Sequence, residues 1–229
     1  MAGRKFYSVT VKPTMTASKL AAAYGDGDVL FPFTEVPVDR GASRLISITA
    51  VVRGTNGVRQ EFPMDLVFSK SSSENSLGTE NATASMFPSN NIIGGHKILA
   101  TDYGDGLDTF AVTNSSFAKP DLVVAADSGE SIYVGGIANG AFDFQSTVVC
   151  DGIQATSQAV LTVKTTSAEI NFAIGDVLHD EDDRAMGTVK TVDSATQMTM
   201  TANLSNATVN NKDLYNVNPI TLIFGFECA

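Results

Sequence analysis

Hydrophobic and polar residues alternate with period two from the beginning of the chain. In KFYSVTVK, residues 5–12, Tyr7, Val9 and Val11 fall on one face and Phe6, Ser8 and Thr10 on the other. Such alternation marks a strand with one face turned to a core. RLISITAVVRG, residues 44–54, repeats it, with Ile46, Ile48, Ala50 and Val52 opposite Leu45, Ser47, Thr49 and Val51. GTNG at 54–57 then supplies the Asn-Gly pair that two-residue hairpins favour, because both central positions need positive φ. A return strand is expected over VRQEF (58–62), and MDLVFS continues the rhythm with Met64, Leu66 and Phe68 aligned. TASKLAAAYG, from Thr16 to Gly25, breaks the alternation and reads as one or two helical turns, or as an arm across a sheet.

From Ser71 to Asn91 the chain is polar, and a short helical turn is expected around Ala82 to Met86. Loops of this length are usually functional or covered by a partner. Strand patterns resume at HKILA, LDTFAVT, DLVVA, SIYVGGI and FDFQSTVV, spaced by about ten residues as in a sandwich or jelly roll. NPITLIFGFE (218–227) is strongly apolar and reads as a buried closing strand. Between these lie five very short strand patterns, AVLTVKT, FAIGDVLHD, AMGTVKTVDS, TQMTMTA and DLYNV, the rhythm of a small SH3-like barrel. The expected fold class is therefore all-β. A jelly-roll-like β-sandwich over 1–150 and 217–229 would carry an inserted small β-barrel over 151–216.

Composition agrees with strands and turns. Among 229 residues, 43% are hydrophobic, only 17% are charged, 19 are Gly and none is Trp. A chain of this size buries enough surface to fold without a metal or disulfide staple. Cys150 and Cys228, the two cysteines, fit a reducing compartment. The charged beginning has no apolar run behind it, so no signal peptide is expected, and no stretch is apolar enough to span a bilayer. The Asn-Ala-Thr tripeptides at 81 and 206 are therefore read as chance.

Net charge is −10, which excludes the basic footprint that nucleic acid requires. The charge is unevenly placed. Residues 1–70 hold nine Lys and Arg against six Asp and Glu; the rest holds six against nineteen. One reading is a solvated surface without further meaning. The other docks the first third on an acidic neighbour, and gives Arg4, Lys5, Arg40, Arg44, Arg53 and Arg59 as candidate contact residues.

Candidate chemistry changes this picture little. HDEDDR, residues 179–184, places four adjacent carboxylates where a hairpin would reverse. Calcium loops space their acids so that alternate residues point inward, and this run has no such spacing. It reads as a solvated hairpin tip. YGDGDV (24–29) and DYGDGLD (102–108) share Tyr-Gly-Asp-Gly; Asp102, Asp105 and Asp108 are weak metal candidates, spaced by three rather than in the order of an EF-hand. His96 and His179, the two histidines, sit in no recognisable nucleophile arrangement, and no Gly-x-Ser-x-Gly elbow occurs. No catalytic residue and no cofactor is expected.

Several of these stretches together resemble jelly-roll virion structural proteins of tailed bacteriophages, of the marine or cyanophage type. ASKLAAAYGDGDVL followed by RGASRLISITAVV resembles the family's opening, PMDLVFSKSSSENSLGTENATASM its next block, and NPITLIFGFE its closing strand. FAIGDVLHDEDDRAMGTVKTVDSATQMTMTANLSNA resembles a small β module recurrent in phage structural proteins. The resemblance implies a non-enzymatic virion protein, first a capsid decoration or cement protein, with a tail, fibre or vertex component as the alternative. It implies the major capsid protein or other virion proteins as partners, a homo-oligomer, and assembly in the host bacterial cytoplasm. A competing reading is a glycan-binding jelly-roll module for host attachment, which would stack exposed aromatics on sugar rings.

Overall fold

A computed structural model describes residues 5–38, 41–53, 59–73, 76–85, 91–104, 110–113, 122–126, 131–144, 146, 148–164 and 172–228. Strands β1 (Lys5–Val11), β2 (Val29–Pro37), β3 (Gly41–Val52), β4 (Met64–Ser69), β5 (Ile92–Ile98), β6 (Ala111–Val112), β7 (Leu122–Ala126) and β8 (Ser131–Ala138) come first. A four-residue helix, α1 (Ala17–Leu20), separates β1 from β2. Then follow β9 (Val160–Thr162), β10 (Val177–Asp180), β11 (Ala185–Ser194), β12 (Gln197–Met200), β13 (Leu214–Asn216) and β14 (Ile220–Cys228). The fold is all-β.

Two antiparallel sheets form a sandwich. The first has the order β1-β14-β3-β6, with β7 also on β3; the second has the order β2-β8-β4-β5. Their inner faces meet in one core that includes Phe31, Met64, Leu66, Phe68, Leu222, Phe224 and Phe226, all at most 1% exposed. Burying a side chain of this size contributes about 1.5–3 kcal/mol, so the alternation alone commits these strands to facing sheets. β14 is central, paired residue for residue with β1 from Lys5–Cys228 to Val11–Leu222.

The β3 alternation is not continuous. Ser47 pairs with Gly225 but Leu45 pairs with Phe226, so Ile46 is the extra residue of a bulge. The bulge flips the parity: Leu45 is buried on one side of it, Ile48, Ala50 and Val52 on the other, and Ile46 is only half-buried. The hairpin expected at 54–57 lies outside the described residues, and its return strand does not form. Residues 59–63 are not in a strand, and β3 and β4 belong to opposite sheets. Likewise, among the described residues of FDFQSTVV, the pairing is limited to the isolated bridges Tyr24–Phe142 and Val149–Asp213.

The remaining strands run β13-β10-β11-β12-β9, and residues 148–151 close this sheet on itself. On one side Leu214 donates its N–H to Val148 and Cys150 to Lys212; on the other Asp151 donates to Thr162 and Lys164 to Val149, all at 2.8–3.0 Å. The small barrel has its own core, including Val148, Cys150, Leu161, Leu178, Met186, Met198 and Leu214. Tyr215, the next residue on β13 after Leu214, belongs instead to the sandwich core, as does Val217. Because side chains alternate across a strand, β13 serves both cores with adjacent residues.

Candidate interaction surface

The acidic run at the β10–β11 reversal is a turn with an exposed tip, Asp182 and Asp183, and a buried base. Asp180 is completely buried. Its Oδ1 accepts the N–H groups of Asp182 at 3.1 Å and Arg184 at 3.0 Å, and its Oδ2 pairs with the Arg184 guanidinium. A buried carboxylate needs such partners, since an unpaired one costs several kcal/mol. Asp183, at φ 64°, turns its carboxylate toward α1, where it accepts from Ser18 N–H at 2.9 Å and Ser18 Oγ at 2.5 Å. Lys212 holds Glu181 at 2.5 Å and Asp182 at 3.2 Å. All four carboxylates are engaged in fixing the turn and joining the barrel to the sandwich.

The loop at 76–85 completes that joint. No helical turn forms over Ala82 to Ser85; the segment instead lies along the start of β2, with Asn81 donating to Val29 O and Val29 to Ala82 O. Its side chains close both ends of α1. Glu80 accepts from Thr16 N–H (2.9 Å) and Thr16 Oγ1 (2.9 Å), and Asn81 Nδ2 donates to the carbonyls of Lys19 and Ala22. These are the groups a helix leaves unpaired at its two ends. Tyr24 also donates to Glu80 at 3.1 Å, and burial pushes its phenol pKa up. Burial likewise raises the Glu80 carboxyl above its ordinary range, against the bonds from Thr16 and Tyr24. An ion pair, Arg53 with Asp176, also joins sandwich to barrel.

Of the three weak metal candidates, Asp102 lies within the described residues. Asp102 ends a short 3-10 turn, where its carboxylate accepts the Leu99 N–H at 2.7 Å; Asp105 and Asp108 lie outside the described residues. Among the described residues no group of three His, Cys, Asp or Glu is placed to hold a metal ion. Cys150 is a barrel-core residue whose thiol burial pushes up to about 12, and neither it nor Cys228 is in a disulfide. His96 lies in β5 and His179 in β10, on different sheets. A shallow cleft of about 290 Å3 is floored by Phe62 and Phe142, stacked at 3.7 Å.

Of the six candidate contact cations, Arg4 and Arg40 lie outside the described residues. Arg53 is engaged with Asp176, and Arg59 with Glu61. Lys5 and Arg44 lie in adjacent rows at one end of the first sheet, on strands separated by β14, Lys5 6.0 Å from the Tyr7 ring centre and Arg44 3.9 Å from Glu227. Register aligns Phe6 with Glu227 and Arg44 on the outer face; behind that row come Ser8, Gly225 and Ser47, then Thr10, Ile223 and Thr49. Beyond the Phe6 row the side chains on this face are mostly short and uncharged. Phe6, 61% exposed, stands at its rim. Sequence reasoning placed Phe6 on the outward side of β1 but gave it no role; a bulky apolar residue on a polar strand face was the available signal.

No helix among the described residues is long and apolar enough to cross a membrane. No family model, no curated protein and no solved structure matches the chain.

Proposed function

We propose that the chain is a non-enzymatic structural protein of a tailed-bacteriophage particle, a decoration or cement protein that binds the head lattice through its sandwich. The sandwich is read as a jelly roll and the inserted barrel as SH3-like. The observation that carries this reading is the strand order. Counted as eight positions, with β6 and β7 sharing the sixth, one sheet runs first, eighth, third, sixth and the other second, seventh, fourth, fifth. That is the order produced by two interleaved Greek keys, the arrangement of jelly rolls that build viral capsids. The barrel sits between the seventh and eighth positions.

Two further features support it. The charged side chains at the seam are engaged in structure, Arg53 with Asp176 and Asp183 with the Ser18 hydroxyl, a use suited to rigidity rather than turnover. The outer face of the first sheet offers a row of short side chains, Ser8, Gly225 and Ser47, for contact with a regular lattice. Partners are then the major capsid protein and further copies of this chain, with no cofactor, and the protein resides in the virion after assembly in the host cytoplasm. The test is its abundance in purified particles by quantitative mass spectrometry. A fixed, high ratio to the shell subunit is expected, and particles stripped of it should burst at lower temperature. A handful of copies per particle would move the protein to the tail or a vertex.

A further inference from the structure

Two Asn-Gly pairs occur in the chain, and the one at 56–57 lies outside the described residues. The other, Asn139–Gly140, stands in a bend directly after β8, at one end of the second sheet. This bend is built around its glycine: Gly140 has φ 145°, a conformation that side-chain-bearing residues rarely adopt. Asn139 is anchored from behind, its N–H donating to Pro63 O at 3.0 Å. The Gly140 N–H donates to no group among the described residues. The Asn139 carboxamide belongs to a half-buried residue and makes a single long bond, from Nδ2 to Asp65 Oδ1 at 3.4 Å. Asn81 and Asn206 are held harder. Asn81 donates to two carbonyls at 2.9 and 3.1 Å, Asn206 donates to Ala185 O at 2.8 Å, and neither precedes a glycine.

We propose that Asn139 is a site of self-modification, at which the Gly140 backbone nitrogen attacks the Asn139 side-chain carbonyl carbon. The new N–Cγ bond closes a succinimide ring, the Cγ–Nδ2 bond breaks, and the Gly140 N–H proton leaves with the amide nitrogen as ammonia. Water then opens the ring at either carbonyl. One product is aspartate with an ordinary main chain; the other is isoaspartate, with the main chain routed through the side-chain carbons. The step is redox-neutral and needs no second protein. Nucleophile and carbonyl are neighbours on one chain, so the attack is intramolecular, and glycine puts no side chain in the way of the closing ring. The fold gives the change a consequence. A carboxylate at 139 sets a like charge against Asp65 in place of an amide donor, beside Lys97, which stands 3.8 Å from Asp65. Isoaspartate also lengthens the main chain three residues before Phe142, whose backbone pairs with Tyr24 at 2.8 and 3.1 Å and whose ring stacks on Phe62. The product therefore reaches the aromatic floor of the shallow cleft. None of this depends on a role in a virion.

The folded full chain is incubated at neutral pH and body temperature, then digested, and the peptide carrying residue 139 is read by mass spectrometry. Asn139 should convert progressively to a product heavier by the exchange of an amino group for a hydroxyl. Its rate should lie within about tenfold of the rate in the same chain held unfolded in urea, a barrier difference of only about 1.4 kcal/mol. Slower conversion in the folded chain, or none, overturns the proposal. Two products of equal mass and different chromatographic retention are expected, aspartyl and isoaspartyl. An aspartyl product alone would mean direct attack by water and refutes the ring. A peptide in which residue 139 is joined to Lys97 with loss of ammonia refutes it too, by naming another nucleophile. Asn139→Gln keeps an amide toward Asp65 but must close a larger ring, so conversion at 139 should slow by more than about tenfold. Conversion of that variant at the native rate overturns the mechanism.

Discussion

At the scale of single residues, the firmest constraints are side chains that sequence places in a turn and the fold places in an interior. Asp180 is the clearest. Its two oxygens satisfy two backbone N–H groups and one guanidinium from within the same turn. Asp180→Ala should cost about 3 kcal/mol, because it leaves those donors without their acceptor in a buried site. Asp180→Asn keeps one oxygen and should cost clearly less. Urea unfolding of the three proteins gives the ranking, and equal stability of the two variants would mean that the backbone acceptor role is negligible. Gly136 is constrained by space. A Cβ there would collide with the Phe31 ring across the β2–β8 pair. Gly136→Ala should lower stability by about 1–3 kcal/mol, the usual cost of overpacking a filled core; an unchanged thermal midpoint would show that Phe31 has room to move.

Among elements, α1 is too short to persist alone, and it exists because Glu80, Asn81 and Asp183 hold its ends from two different segments. Glu80 has a folded pKa raised above its ordinary 4.5, with burial the leading cause. A carboxyl raised on folding stabilises the protein while protonated, so its contribution is complete below about 4.5 and declines as pH rises through the raised value. The stability difference between the native protein and Glu80→Gln should therefore shrink as pH increases from about 4.5 toward neutrality. Denaturant titrations at stepped pH measure it, and a difference that grows with pH would mean that the bonds from Thr16 and Tyr24 outweigh burial. These elements also divide what could be read from sequence. The period-two strands β1, β4 and β14 and the short strands of the barrel were legible, because their faces are set by local alternation. The Ile46 bulge was not, since it depends on which partner strand lies alongside. Nor was the loop at 76–85, whose polar residues gain meaning only against α1. The burial of Asp180 was hidden for the same reason: the Val148–Asp151 segment that closes the barrel around it lies about thirty residues away in the chain.

For the whole molecule, the question is whether sandwich and barrel behave as one body. They share β13, with Leu214 in one core and Tyr215 in the other, and the Arg53–Asp176 and Ser18–Asp183 contacts bridge the same seam. Calorimetry should show a single cooperative transition, with equal calorimetric and van't Hoff enthalpies. Arg53→Ala leaves the Asp176 carboxylate without its cation and should cost roughly 3 kcal/mol; resolved double melting already in the unaltered protein would show that the seam couples the parts only weakly. The position of β14 has a consequence for biogenesis. As the chain leaves the ribosome, β1 and β3 appear early, yet the strand that belongs between them follows the entire barrel. Until residues 220–228 emerge, half of the sandwich is missing its middle, and pairing across so many intervening residues is intrinsically slow. The nascent protein therefore carries a finished barrel beside an open, apolar slot, and only translation of that late segment can zip it shut.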